Sequence, residues 1–202
     1  MSQTKVPAMT GEEMTNLLRE EDAGCLSMSR GEEPYCVMVS YAFVDGALVF
    51  HCAKTGEKLD FIRANPRVCF LVSRHPDRTK PHHPEDGCTY RYESVLCRGT
   101  ARVVEDGPEL LSWLRKFKAH FDARLGLDPR KNPVGDSAAA RAACVVIAID
   151  RMTGRKKDKT SPCPPLFSPP GAVSARKHDG GRHDDSGKDN EHRKQAPPER
   201  GA

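Results

Sequence analysis

The sequence has no apolar run of membrane-spanning length, no CxxC pair among its 8 cysteines, and only 1 tryptophan. Each shortage removes a class of protein. A spanning helix needs about 18 or more consecutive apolar residues, so no membrane partner is expected. The opening stretch "MSQTKVPAMTGEEM" lacks the apolar core of an export signal. The cysteines stand singly at 25, 36, 52, 69, 88, 97, 144 and 163, mostly inside apolar runs, where cysteine acts as a small hydrophobe. A cytoplasmic protein with free thiols is the expectation. There is also no HExxH, no nucleophile elbow, no Walker loop and no acid/base pair at a diagnostic spacing. Positive charge is scarce where it would matter for nucleic acid. The formal net charge is +4, but residues 151–202 hold 12 Lys/Arg against 7 Asp/Glu, which leaves −1 for the remainder. A near-neutral domain argues against a nucleic-acid-binding face.

What is present divides at about residue 158. From Ser161 onward there are 7 prolines, 5 glycines and one aromatic residue. Such a segment cannot bury enough apolar surface to offset its ordering entropy. The expected organisation is one domain over residues 1–158 and a disordered tail over 159–202.

Within the domain, "TGEEMTNLLREEDAG" predicts a helix with Thr10 as N-cap, Glu13 closing a capping box, and Gly24 as its stop. "CLSMSR" is a strand followed by a turn at "GEEP". "YCVMVSYAFV" is apolar at every alternation, the pattern of a strand buried on both faces. Asp45-Gly46 is a hairpin turn leading to the strand "ALVFHCA". A short helix follows in "EKLDFIRANP", with Leu59, Ile62 and the Arg63 stem inward. "RVCFLVSR" and "CTYRYESVLCRGTARVVED" are strands, the second with a bulge expected at Gly99. "GPELLSWLRKFKAHFDARLG" is an amphipathic helix with Leu110, Leu111, Leu114, Phe117 and Phe121 on one side, and "AACVVIAIDRM" is the last strand. Hairpin-linked strands with few helices predict a mainly β fold, a small barrel with helices packed outside.

The stretch "HCAKTGEKLDF" at 51–61 carries the strongest chemical signal. If Thr55 caps the helix, then Gly56, Glu57 and Lys58 form its first turn. Free backbone N–H groups, a hydroxyl and an ammonium would converge there, which suits a phosphate. Glu57 fits the helix dipole without a ligand, whereas Lys58 opposes it unless an anion is bound. The plain alternative is a solvated surface lysine.

In this context the chain resembles the flavin-binding split-barrel proteins related to pyridoxamine 5'-phosphate oxidase, most closely the nitroimidazole-resistance (Nim-type) subgroup. The resemblance is carried by "PYCVMVSYAFVDGALVFHCAKTGEKLDFIRANPRVCFLV", "CTYRYESVLCRGTARVVED" and "VVIAIDRMTGRK", and spans roughly residues 8–157. It implies a split barrel of six or more antiparallel strands, a homodimer, and FMN bound in grooves at the dimer interface. By resemblance, Thr55 and Lys58 would hold the FMN phosphate, with Gly56 and Glu57 beside them. The flavin ring would lie along Val39, Ser40 and Tyr41. His51 would stand near the flavin or the substrate, and Tyr90, Tyr92 and Ser94 would complete the site or the dimer face. Relatives often carry proline where this chain has Met38, which leaves the strand beside the flavin a backbone donor that proline would remove.

An imidazole commonly moves protons near neutral pH, so His51 is the candidate catalytic proton donor; ordinary barrel packing is its alternative. Cys69, His75, His82, His83 and Cys88 are zinc-ligand types, but their spacing matches no knuckle, and no metal is expected. The proline-rich loop at 75–87 is expected to be a lid or a dimer contact. Arg91 and Arg98 are read as solvated strand-edge cations. In "RMTGRKKDK", Lys156, Lys157 and Lys159 are expected to be solvated, while Arg155 stays open between solvent and the flavin phosphate. Trp113 is expected to pack helix against barrel. The function implied is an FMN-dependent oxidoreductase reducing a small molecule such as a nitroaromatic. The alternatives are a non-catalytic flavin or heme store and an enzyme acting on a B6 vitamer.

Overall fold

The computed structural model describes residues 6–75, 91–131 and 133–157. Tyr90, the loop from residue 76 and the segment from residue 158 lie outside the described residues. The elements are α1 (Gly11–Glu20), β1 (Ala23–Arg30), β2 (Glu33–Ser40), β3 (Ala42–Val44), β4 (Ala47–Ala53), α2 (Glu57–Ala64), β5 (Arg67–Arg74), β6 (Tyr92–Val104), α3 (Gly107–Leu125), α4 (Asp136–Arg141) and β7 (Ala142–Lys157).

The seven strands form one antiparallel sheet in the order β2-β1-β5-β6-β7-β4-β3. The two edge strands are consecutive in the chain and separated by Tyr41 alone. A sheet whose opposite edges are tied by one residue has to roll up. Among the described residues no ladder joins β2 to β3, so the barrel stays split at that point. Tyr41 fills the split from within. It is 0% exposed, its hydroxyl donates to the Leu18 carbonyl at 2.9 Å, and its ring meets Phe70 edge-on at 5.1 Å.

That break corrects the single doubly buried strand expected over "YCVMVSYAFV". β2 is a sheet edge with one face open: Tyr35, Val37 and Val39 are half-buried, while Cys36, Met38 and Ser40 are exposed. Burial on both faces belongs instead to β4 and β7. Leu48, Phe50, Val145 and Ile147 point into the barrel. Val49, Cys144 and Val146 point outward, under Leu110 and Leu114 of α3. Leu48 pairs with Ile147 and Val49 with Val146, so the two layers alternate in step.

The N-terminal helix forms as its sequence predicts. The Thr10 N–H donates to Glu13 Oε2 at 2.8 Å, and the Glu13 N–H donates to Thr10 Oγ1 at 3.2 Å. Leu17 and Leu18 are fully buried, each contributing about 1.5–3 kcal/mol by removal from water. Gly24 is not the helix stop. The helix ends at Glu20, and Gly24 lies inside β1, where an added Cβ would stand 2.3 Å from Phe70. In α2, Phe61 is buried with Leu59 and Ile62, while Arg63 is exposed and paired with Glu105 at 2.6 Å; the Arg63 stem is therefore not inward. The helix α4 was not expected, because six residues of "DSAAAR" carry no periodic apolar face.

The end of β7 is also a correction. Lys157 is 6% exposed and pairs in register with Tyr92, and Lys156 lies within 3.5 Å of both Glu13 and Glu93. Neither is a frayed, solvated end. Glu93, only 8% exposed, also accepts from Arg74 Nε at 2.8 Å, and Arg74 reaches Glu20 of α1. This network ties α1, β5, β6 and β7 at one end of the barrel.

At Gly99 the β6–β7 register shifts, as expected of a bulge. A Cβ there would lie 2.2 Å from the Ala148 carbonyl oxygen, a backbone atom that cannot swing aside. Gly99→Ala should therefore destabilise the fold by about 1–3 kcal/mol, the range for overpacking. Gly11→Ala, with open space around it, should change stability little. Denaturant midpoints of the two variants check this.

Candidate functional site

The helix start proposed from "HCAKTGEKLDF" is real, but its cap is shifted by one residue. Gly56, not Thr55, is the N-cap of α2, at φ 133° and ψ 156°, a conformation that favours glycine. Thr55 lies one position before it and makes no capping bond. Gly56 provides the first carbonyl, accepting from the Leu59 N–H at 2.9 Å. The N–H groups of Glu57 and Lys58 find no acceptor among the described residues. Lys58 is half-buried and makes no ion pair among the described residues. Burial pushes the neighbouring Cys52 thiol up, and the Lys58 and Arg63 charges oppose that shift. The rim of the barrel at α2 therefore carries a cation and two free donors beside the exposed hydroxyl residue Thr55. That arrangement can accept an anion.

The remaining candidates separate onto different surfaces. Tyr41 is a correction: its side chain belongs to the core, and its N–H donates to the Asp22 carbonyl at 2.9 Å. A ligand could not be stacked on that ring. Val39 is half-buried against the barrel core, while Ser40 faces outward at the end of β2. Tyr92 and Ser94 share the outer face of β6, where Ser94 pairs with Ser73 and Arg155. One row of this outer face runs Met38, Cys25, Leu71, Leu96, Thr153 across five strands. Ser40 and Ser94 lie two residues from Met38 and Leu96, and so on the same face. Met38 is 63% and Leu71 41% exposed, so the face is open in the single chain.

His51 stands elsewhere. On β4 it alternates with Cys52, so Cys52 faces Lys58 and the barrel side while His51 faces α3. Its ring meets Phe117 edge-on at 4.8 Å, and Phe117 meets Phe121 at 4.8 Å. His51 opens on a cavity of about 310 Å³ walled by Leu114, Phe117, Phe121, Val134, Ala138 and Ala142. Lys118 stands at the same cavity, held at 2.5 Å by Asp122. Sequence reasoning missed this cavity because α4 builds one wall. The signal available in the sequence is the helical spacing of Leu114, Phe117 and Phe121.

A second groove, of about 300 Å³, lies on the outer face between Ser27, Ser29, Cys69, Arg67 and Arg98. Arg67 there is paired with Asp150 at 2.7 Å. Among the described residues no three His, Cys, Asp or Glu side chains gather as a metal site, and no helix is long and apolar enough to cross a membrane. His82, His83 and Cys88 lie outside the described residues.

The fold recurs in solved structures. An FAD-binding protein from Mesorhizobium loti superimposes with a TM-score of 0.57 at 23% identity, covering 76% of this chain and 99% of that one. A candidate 5-nitroimidazole antibiotic resistance protein from Bacteroides thetaiotaomicron VPI-5482 gives a TM-score of 0.60 at 23% identity, covering 74% and 86%. The FAD and heme binding protein of Mycobacterium smegmatis gives 0.58 at 16% identity, covering 74% and 72%. In sequence, an uncharacterised protein of Rhizobium meliloti (strain 1021) is 24% identical over 156 residues, 74% of this chain and 94% of its own length. The family model described as pyridoxamine 5'-phosphate oxidase matches residues 10–156. With that match running from the cap of α1 to the end of β7, the chain belongs to the pyridoxamine 5'-phosphate oxidase family of split-barrel proteins.

Proposed function

We propose that this chain is a flavin-dependent oxidoreductase that uses FMN to reduce a small molecule, a nitroaromatic being the first candidate. The observation that carries this is Lys58, a half-buried cation with no carboxylate partner among the described residues, beside two backbone N–H groups that find no acceptor among them at the start of α2. In a family whose solved neighbours include FAD-binding proteins, that rim suits a flavin phosphate. Thr55 Oγ1 and Lys58 Nζ would hold the phosphate, with the N–H groups of Glu57 and Lys58. β2 is an edge strand, so its outward-pointing backbone groups near Val39 and Ser40 are available to the rim of a flavin ring. Met38 keeps the backbone N–H that a proline would remove. Arg155, exposed on the outer face beside Ser94, would add positive charge near the ligand.

Bound flavin supplies two-electron redox chemistry. His51 would hand a proton to the substrate atom that receives the electron pair, from its place beside the apolar cavity under α3. The cavity volume lies at the small end of ligand pockets, which suits a single aromatic ring. The reading includes a cytoplasmic homodimer, since Met38, Leu71, Leu125 and Leu127 leave apolar surface open that a second copy would cover.

A second reading is binding without turnover, including heme. It is favoured by the likeness to the FAD and heme binding protein of Mycobacterium smegmatis and by an exposed imidazole in an apolar cavity. A Soret band in place of flavin absorbance after reconstitution would select it.

Purified or reconstituted protein should show flavin absorbance, released as FMN on denaturation. A protein that shows no saturable FMN binding overturns the proposal. Lys58→Ala should weaken FMN binding by about 1.5–3 kcal/mol, the value of a hydrogen bond to a charged group, measured by fluorescence titration. His51→Asn should leave FMN affinity unchanged and lower kcat for nitroaromatic reduction by roughly 100-fold, the smaller end of general-acid effects. Light scattering on the purified protein should give the mass of a dimer.

A further inference from the structure

Two of the described thiols differ from the rest. Cys25 on β1 and Cys36 on β2 face outward on the same side of the sheet, with their sulfurs 2.8 Å apart. Ser27, directly opposite Cys36, places its hydroxyl 3.7 Å from the Cys36 sulfur. In the single chain Cys36 is exposed and Cys25 half-buried, so a reagent that reaches this face meets Cys36 first. The hydrogen bond from Cys25, and then that from Ser27, hold the Cys36 thiol below its ordinary pKa. The same bond to Cys36, followed by burial, pushes the Cys25 thiol up. The thiolate therefore collects on the accessible sulfur, which is the arrangement of an attacking cysteine with a resolving one. By contrast, Cys97 and Cys144 lie in the core, and burial pushes each thiol up to about 12. Burial raises Cys52 as well. None of this arrangement was visible in the spacing of 25 and 36, which matches no redox motif.

We propose that Cys36 and Cys25 form a two-electron thiol pair that hydrogen peroxide converts to a disulfide within the chain. The Cys36 thiolate attacks a peroxide oxygen, the O–O bond breaks, and a sulfenic acid forms while the other oxygen leaves as water after taking up a proton. The Cys25 sulfur then attacks the Cys36 sulfur, the S–O bond breaks, and a second water leaves. Two thiols lose two electrons and two hydrogens, and one peroxide is reduced to two waters. A disulfide holds its sulfurs about 2.05 Å apart, so only a fraction of an ångström has to close from the present contact. The product would clip the edge strand β2 to β1, two residues from Met38 and four from Ser40. The proposal stands on the two strands alone and does not depend on flavin binding.

The test is peroxide treatment of the full chain, alkylation of the remaining thiols, and peptide mass mapping. Cleavage after Arg30 separates the two cysteines. The expected result is a linked peptide pair, two hydrogens lighter than its parts, that dithiothreitol splits. Cys25→Ser should stall the reaction at a Cys36 sulfenic acid that dimedone traps, and Cys36→Ser should leave Cys25 as a free thiol. Three results would overturn the proposal: both thiols persisting under peroxide that oxidises free cysteine, Cys36 passing to sulfinic acid with Cys25 unmodified, or a disulfide joining separate chains on a non-reducing gel.

Discussion

Everything in this fold follows from a single-residue connection. β2 and β3 are the two ends of a seven-strand order, yet only Tyr41 separates them. The sheet has no choice but to curl until its edges approach each other, although no ladder joins them among the described residues. Tyr41 stabilises the meeting point in three directions. Its hydroxyl satisfies a carbonyl near the end of α1, its N–H satisfies the Asp22 carbonyl, and its ring fills the core against Phe70. Burial holds its phenol well above the ordinary tyrosine pKa, with the charge of Glu21 adding to that, so the hydroxyl stays a donor. The closure also decides orientation. It sends Ser40 to the outer face and Tyr41 to the interior, it pairs Ala42 with Val49 on the face that α3 covers, and it leaves β2 as the edge of the sheet among the described residues.

The second organising feature is the double burial of β4 and β7. Their inward side chains fill the barrel and their outward side chains receive α3. Because the strands alternate, Cys52 and His51 are directed to opposite surfaces. The rim at Lys58 and the cavity at His51 are thus separate regions of one chain, and a shared role for them rests on the proposed function rather than on a contact. At the far end of the barrel, the carboxylates of Glu13, Glu20 and Glu93 meet Arg74 and Lys156. Glu93 is the most buried of these and is matched by two cations, which avoids leaving a charge desolvated and alone.

Local signals were well preserved in the folded chain. The capping box at Thr10, the Asp45-Gly46 turn with both residues at positive φ, the bulge at Gly99 and the amphipathic face of α3 all stand where short-range patterns put them. Each depends on hydrogen bonds or sterics within a few residues, so each can be seen in a window of sequence. The misplaced features all depend on distant residues. Gly24 looked like a helix stop because its real constraint is Phe70, a residue of another strand. Lys157 looked solvated because the strand that buries it begins more than sixty positions earlier. Thr55 and Gly56 differ by one position, the usual uncertainty of a helix boundary.

The sequence by itself determined the chemistry on offer and its local setting: a lysine at a helix start, a histidine at the end of an apolar strand, a domain close to neutral, and the motifs that mark the family. Those are properties of neighbouring residues. Only the tertiary structure decided which of them share a surface. Strand pairing set Ser40, Tyr92 and Ser94 on one outer face, withdrew Tyr41 into the core, turned His51 toward a cavity finished by α4, and brought the Cys25 and Cys36 sulfurs together. The reason is geometric. A strand offers each side chain one of two faces, and which face is covered depends on closure of the sheet, a long-range event that no local window contains.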